Sequence, residues 1–185
     1  MHGPASLTWG STPEERGLPY PCDPSLPGFD EEYFRAVSVD ADPALSFRWL
    51  CQLKVAPYSY DLLDNLGRQS PRELTPGVEN LAVGQRVMKI FELVEFAEDE
   101  HLTLLLAAPE AVDTFGRTAL SYVVRPISEG SCRLVVKLRV LYPGGPMGAL
   151  MRRTLPWGDL IMMRRQLLTL KRLAEGTRAP ALNPG

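Results

Sequence analysis

The feature that most constrains this chain is its last long helical stretch, roughly Met147 to Ala174, where a 3.6-residue apolar period is sustained long enough to cover a sheet. From Trp157 onward, at about 100° per residue, Leu160, Met163, Leu167, Leu170 and Ala174 fall in one arc, with Trp157, Ile161 and Leu168 at its edge. Arg165, Gln166, Thr169 and Arg172 take the other side. Arg164 and Lys171 fall inside the wider apolar arc, where a purely structural helix would carry Leu or Ala. Pro156 is expected to kink or divide the helix near Thr154, leaving a short segment, Met147 to Arg153, ahead of the main one, which Gly176 ends.

What precedes this helix reads mostly as strands that need a cover. Tyr33 to Val39, rich in aromatic and β-branched residues, is the first. Asp42 then caps a helix whose first position is Pro43, and Ala44 to Leu53 buries Leu45 and Trp49. A second short helix spans Tyr58 to Leu66, between Pro57 and Gly67, and residues 67 to 84 form an irregular crossing. Val87 to Phe91 and Leu93 to Ala97 read as one or two strands, and His101 to Ala108 as a nearly continuous apolar one. Pro109 to Phe115 reads as a connecting loop and Gly116 to Ile127 as a further strand. Cys132 to Tyr142 alternates most cleanly: Leu134, Val136, Leu138 and Val140 face one way, Arg133, Lys137 and Arg139 the other. One side of the sheet is therefore expected to face water. Runs of strands with segregated helices indicate an α+β domain.

Six prolines within residues 1–30 make that stretch an extended Pro/Gly-rich arm, with Trp9, Leu18, Tyr20, Leu26 and Phe29 available to lie against the domain. The domain is expected over 31–176 and a flexible tail over 177–185. At 185 residues and 45% hydrophobic content, one core is expected. With 20 Lys plus Arg against 22 Asp plus Glu and no basic run interleaved with aromatics, neither nucleic acid nor integral membrane association is expected. Cys22, Cys51 and Cys132 have no metal or disulfide spacing, which fits a reducing cytoplasm. The sequence has no GxSxG, no GxGxxG in a βαβ setting, no phosphate loop and no HExxH, so no catalytic residue, metal or cofactor is assigned. Oligomeric state is not legible.

The element order resembles that of the START-like, or SRPBCC, superfamily, which includes lipid-transfer domains and aromatic polyketide cyclases. The stretches carrying the resemblance are WLCQLKVAPYSYDLLDNLGRQSPREL from Trp49 to Leu74, Val83-Gly84 before the sheet, and MMRRQLLTLKRLAE from Met162 to Glu175. The resemblance implies a helix-grip fold: a curved antiparallel sheet wrapped around a long C-terminal helix, with two short helices after the first strand. It also implies a function class, the binding or transformation of a hydrophobic small molecule. The superfamily shares no single catalytic motif, so no catalytic residue carries over.

In such a fold the apolar lining is expected from Met88, Ile90, Leu104, Leu138, Leu160, Met163 and Leu167. Tyr58 and Tyr60 form the densest polar-aromatic cluster, able either to hydrogen-bond a ligand or simply to pack with satisfied hydroxyls. Glu92, in phase with Met88, Ile90, Val94 and Phe96, needs a partner if it points inward, and Arg164 is the candidate; otherwise a bulge turns Glu92 out and Arg164 snorkels. Tyr122, between Leu120 and Val124 on its strand face, is either a ligand group or core. His101, beside Glu98 and Glu100, reads as a turn residue more readily than as a general base. Three functions follow: a binder of a hydrophobic or amphipathic small molecule, a cyclase or dehydratase, and a protein-interaction module with a collapsed cavity.

Overall fold

In β1 (Glu31–Val39) Tyr33, Val37 and Val39 belong to the main core, while Phe34 and Ala36 belong to a second, smaller one. The strand thus divides the molecule into two layers, as period-two alternation requires. The computed structural model describes residues 5–58 and 70–177. Its elements are α1 (Ala5–Thr8), α2 (Pro13–Arg16), β1, α3 (Pro43–Cys51) with a 3-10 turn over Gln52–Lys54, β2 (Arg86–Val87), β3 (Phe91–Ala97), β4 (His101–Leu106), α4 (Pro109–Phe115), β5 (Arg117–Ser128), β6 (Ser131–Leu141) and α5 (Gly145–Gly176). The six strands form one antiparallel sheet in the order β1-β6-β5-β4-β3-β2. The long helix α5 lies on the inner face with α3, and Met163, Leu167, Leu170 and Ala174 of α5 join Val37, Leu134, Val136 and Trp49 in the main core. This is the α+β, helix-grip arrangement.

Local chemistry explains most boundaries. Asp42 accepts hydrogen bonds from the amides of Ala44 and Leu45, with Pro43 at the first helical position of α3. Lys171, out of place in the apolar arc, donates to the Ser38 carbonyl and to Glu175, pinning the end of α5 to the end of β1.

Four features depart from the sequence expectation. Pro156 does not divide the terminal helix: α5 is continuous over 32 residues, with Pro156 buried and its carbonyl accepting from Arg35 at 3.3 Å. A lone proline removes one donor, and packing of the turns on either side holds the helix through it. Pro109–Phe115 is helical, although Ala108 offers no side-chain cap; Pro109 starts it and Gly116, at φ 87°, stops it. The strand expected over Val87–Phe91 breaks, because Met88 and Lys89 adopt φ of 49° and 66° and Val87 turns back to pair with Phe91. The second short helix expected at Tyr58–Leu66 lies, apart from Tyr58, outside the described residues.

The fourth departure is the outer face, which is covered rather than solvated. Tyr20, Cys22 and Leu26 from the arm pack on Phe34, Ala36, Ala119 and Val135. The arm also meets the free edge of β1, where the Ala36 amide donates to the Trp9 carbonyl at 3.1 Å. Gly10 makes that approach possible: at φ 74°, a Cβ there would sit 2.0 Å from the Ala36 oxygen. The three basic residues expected in water meet carboxylates instead. Arg133 pairs with Glu15 at 2.8 Å, and Lys137, only 3% exposed, reaches Asp23 at 2.7 Å and Glu32 at 2.9 Å. Arg139 shares both Asp23 and Glu32.

Candidate functional site

Between the sheet and the first half of α5 lies a cavity of about 540 Å³. Its wall from α5 is a stripe at three- and four-residue spacing, Met151, Leu155, Asp159, Met162, Met163 and Gln166. Tyr33, Leu120, Tyr122, Leu138 and Val140 supply the sheet side, and the strained Met88-Lys89-Ile90 turn, Phe91 and Leu106 supply one end.

Of the residues singled out from sequence, Met88, Ile90, Tyr122, Leu138 and Met163 line this cavity. Leu104 and Leu167 are fully buried in the core and do not reach it. Leu160 is half-buried and off the wall, and Trp157 and Ile161, at the edge of the same arc, are exposed. Glu92 pairs with Leu105, a residue of the outer layer, while its neighbour Leu93 enters the main core; the turn at Met88–Ile90 resets the strand's phase and puts Glu92 outside the cavity. Arg164 is exposed, its guanidinium 5.8 Å from the centre of the Trp9 ring, so Glu92 and Arg164 do not form a cavity anchor. Tyr58 is buried away from the cavity, donating to the Pro71 carbonyl and accepting from Gln52. Tyr60 falls outside the described residues. His101 lies 3.6 Å from Glu95 and off the cavity wall.

A polar anchor exists with its charges reversed: the arginine is on the strand and the carboxylate on the helix. Arg35 follows Tyr33 and precedes Val37 in inward phase, and its side chain is fully buried. Its Nη2 and Nε donate to Asp159 Oδ2 at 2.7 and 3.1 Å, Nη2 also reaches the carbonyls of Ser6 and Pro156, and Nη1 donates to the Phe34 carbonyl. Burial pushes the Asp159 carboxyl above its ordinary value, with the Arg35 charge opposing. Beside it, Tyr33 bonds the Tyr142 hydroxyl, which donates to Glu31 at 2.6 Å. At the other end Tyr122 donates to Gln166 Oε1 at 2.7 Å, and Gln166 Nε2 donates to the Pro57 carbonyl at 2.6 Å. Burial raises the pKa of both phenols, Tyr33 and Tyr122.

Sequence reading missed Tyr33, Arg35, Asp159 and Gln166. The same phase test that was applied to Glu92 marks Arg35, which alternates with Tyr33 and Val37. On the helix, Asp159 lies about 40° from Met163 and Leu160 about 60° on the other side, so periodicity alone does not choose between them. Hydrophobicity alone favours the leucine. The thiols offer no nucleophile here: Cys22, Cys51 and Cys132 are buried and unpaired, and burial pushes Cys51 up to about 12.

No protein-family model matches the sequence, and no curated protein is similar to it in sequence. Solved structures share the fold. Norcoclaurine synthase from Thalictrum flavum, determined in complex with dopamine and hydroxybenzaldehyde, superposes with a TM-score of 0.50 at 11% identity, over 81% of this chain and 89% of that one. The di-domain ARO/CYC BexL from the BE-7585A biosynthetic pathway superposes with a TM-score of 0.50 at 13% identity over 82% of this chain, which spans about half, 48%, of that protein. At such identities the likeness establishes the START-like fold expected from the sequence, and leaves the chemistry to the residues themselves.

Proposed function

We propose that this START-like protein binds a hydrophobic or amphipathic small molecule, lipid-, polyketide- or aromatic-like, in the cavity between sheet and terminal helix. One observation carries the reading: a space of about 540 Å³ walled almost wholly by apolar side chains with a few fixed polar groups. Ligand pockets have that size and that composition, and burial of apolar ligand surface is worth about 25 cal/mol per Å². Three buried thiols, none in a disulfide, fit a reducing, cytoplasmic setting for that binding.

The same observation favours binding over a cyclase-like reaction. Catalysis by Tyr58, Tyr60, Glu92 or Arg164 needs at least two of them to converge in one pocket; Tyr60 lies outside the described residues, and Tyr58, Glu92 and Arg164 are not on the cavity wall. An interaction module with a collapsed cavity is disfavoured by the open volume. Native mass spectrometry of freshly purified protein, followed by solvent extraction, tests the reading. A co-purifying apolar molecule is expected, and its loss from a Leu120→Trp variant, whose indole projects into the space, places it in the cavity. Protein that is consistently empty and takes up no apolar probe overturns the proposal.

A further inference from the structure

Among the described residues, the side-chain hydrogen bonds around the cavity are oriented by groups that can only accept. A peptide carbonyl only accepts, so the Pro57 oxygen sets the orientation of the Gln166 amide, with Nε2 donating to Pro57 and to the Met88 sulfur at 3.3 Å, and Oε1 toward Tyr122. The Tyr122 hydroxyl must then spend its one proton on Gln166. At the opposite end, Glu31 accepts the proton of Tyr142, so the Tyr142 oxygen accepts from Tyr33 and the Tyr33 proton is spent as well. Asp159 receives both Arg35 donors on Oδ2, and its Oδ1 has no hydrogen bond among the described residues. Thr154, also on the wall, donates to the Leu150 carbonyl. Tyr33, Tyr122, Gln166 and Asp159 therefore present oxygen lone pairs to the cavity and no protons. Among the described wall residues, Thr118 alone has a hydroxyl still free to turn either way, and Lys89 is exposed and already engaged.

From this we infer that the cavity selects apolar molecules bearing a hydrogen-bond donor, a hydroxyl or an amine, seated at Asp159 Oδ1 and Tyr33, and rejects carboxylates. The inference rests on the proposed binding function and names the ligand's head group. A hydroxyl or ammonium group meets acceptors with no proton of their own to withdraw, and Arg35 already neutralises Asp159, so the protein need not supply a countercharge for a neutral alcohol. A carboxylate brings only lone pairs to face lone pairs, in a space where water does not screen the repulsion.

Four naphthalene probes of one size separate the possibilities by calorimetry at neutral pH: 2-naphthalenemethanol, 2-(aminomethyl)naphthalene, 2-ethylnaphthalene and 2-naphthoate. The alcohol or the amine is expected to bind about tenfold or more tighter than the ethyl compound, a single well-made hydrogen bond being worth about that factor, and the naphthoate weakest of all. Which of alcohol and amine leads tells a neutral head group from a cationic one. In D159N the free oxygen is exchanged for an amide able to donate, so the preference for alcohol over naphthoate shrinks. The double variant Arg35→Gln, Asp159→Asn gives the same shift without leaving a buried arginine unpaired. Naphthoate binding as tightly as the alcohol, or the ethyl compound binding as tightly as both donors, overturns the inference while leaving the cavity reading intact. Failure of all four to bind overturns the inference, and overturns the cavity reading as well when the purified protein also carries no apolar molecule.

Discussion

On the outer face of the sheet Lys137 sits between Asp23 and Glu32, and Arg139 contacts the same two carboxylates, so each charge there has more than one partner. On the inner face a single arginine, Arg35, holds a single carboxylate, Asp159, at the wall of a cavity. Both sets of charges are removed from water, and they differ in what fills the space around them. The arm lays Tyr20, Phe29 and its own acids over the outer basic residues, with the Lys137 ammonium 5.4 Å from the Tyr20 ring centre and the Arg139 guanidinium 4.4 Å from that of Phe29. Inside, α5 stands off from the sheet and, among the described residues, leaves Asp159 Oδ1 without a bond. Redundant pairing makes the outer face a seal, and single pairing leaves the inner face an unspent acceptor.

Breaking the inner pair should cost most. Asp159→Ala strands a fully buried guanidinium and is expected to lower stability by about 3–5 kcal/mol, read from the urea midpoint. Arg35→Met combined with Asp159→Leu should recover most of the loss, since two apolar groups need no partners. If D159A is as stable as the wild type, the inner pair is no more isolated than the outer network. Next comes the clasp of the arm. Gly10→Ala places a Cβ against the Ala36 oxygen at positive φ and should cost about 2 kcal/mol, with faster hydrogen exchange at the Ala36 amide, the donor to Trp9. Lys137→Met should cost less than D159A, because Arg139 continues to hold Asp23 and Glu32. A loss as large as that of D159A would remove the distinction between the two faces.

The smallest expected effect is one of pH, and its sign differs between the faces. Burial pushes Glu15 up, but hydrogen bonds from Arg133 and from the Thr12 amide, with the Arg133 charge, outweigh it and hold the carboxyl below its ordinary 4.5. Its contribution is complete above that ordinary value and is lost as pH falls through the lowered one. Asp159, raised above 3.8, behaves oppositely: its charge penalises the folded state increasingly as pH rises through that range, and acid relieves the penalty. Acid should therefore loosen the arm before the cavity, seen as earlier exchange of arm amides than of those in β5, and Glu15→Gln should flatten the arm's response.

Much of the frame was legible locally. The alternation in β6, the Asp42-Pro43 start of α3 and the Gly176 end of α5 are each written within a few residues, and each appears where expected. The helix Pro109–Phe115 was not legible, since seven residues hold barely two turns of period and no side chain caps them. The cavity was half legible: Met88, Ile90, Tyr122, Leu138 and Met163 announce themselves as apolar or aromatic residues in inward phase. The polar groups that give the cavity its character did not, because a charged residue in an apolar arc looks like an error until its partner is known.

The sequence by itself determined the class of fold, the order of elements and the faces on which most apolar residues lie, because periodicity of 2 or 3.6 is a property of consecutive residues. Only the tertiary structure decided which charges are buried. Arg35 and Asp159 are separated by 124 positions, and whether either is tolerated away from water depends on meeting the other, not on its neighbours in the chain. The same holds for the arm: its acids become partners of Arg133, Lys137 and Arg139 only once the chain folds back across the sheet, turning a face that alternation assigns to water into a second core.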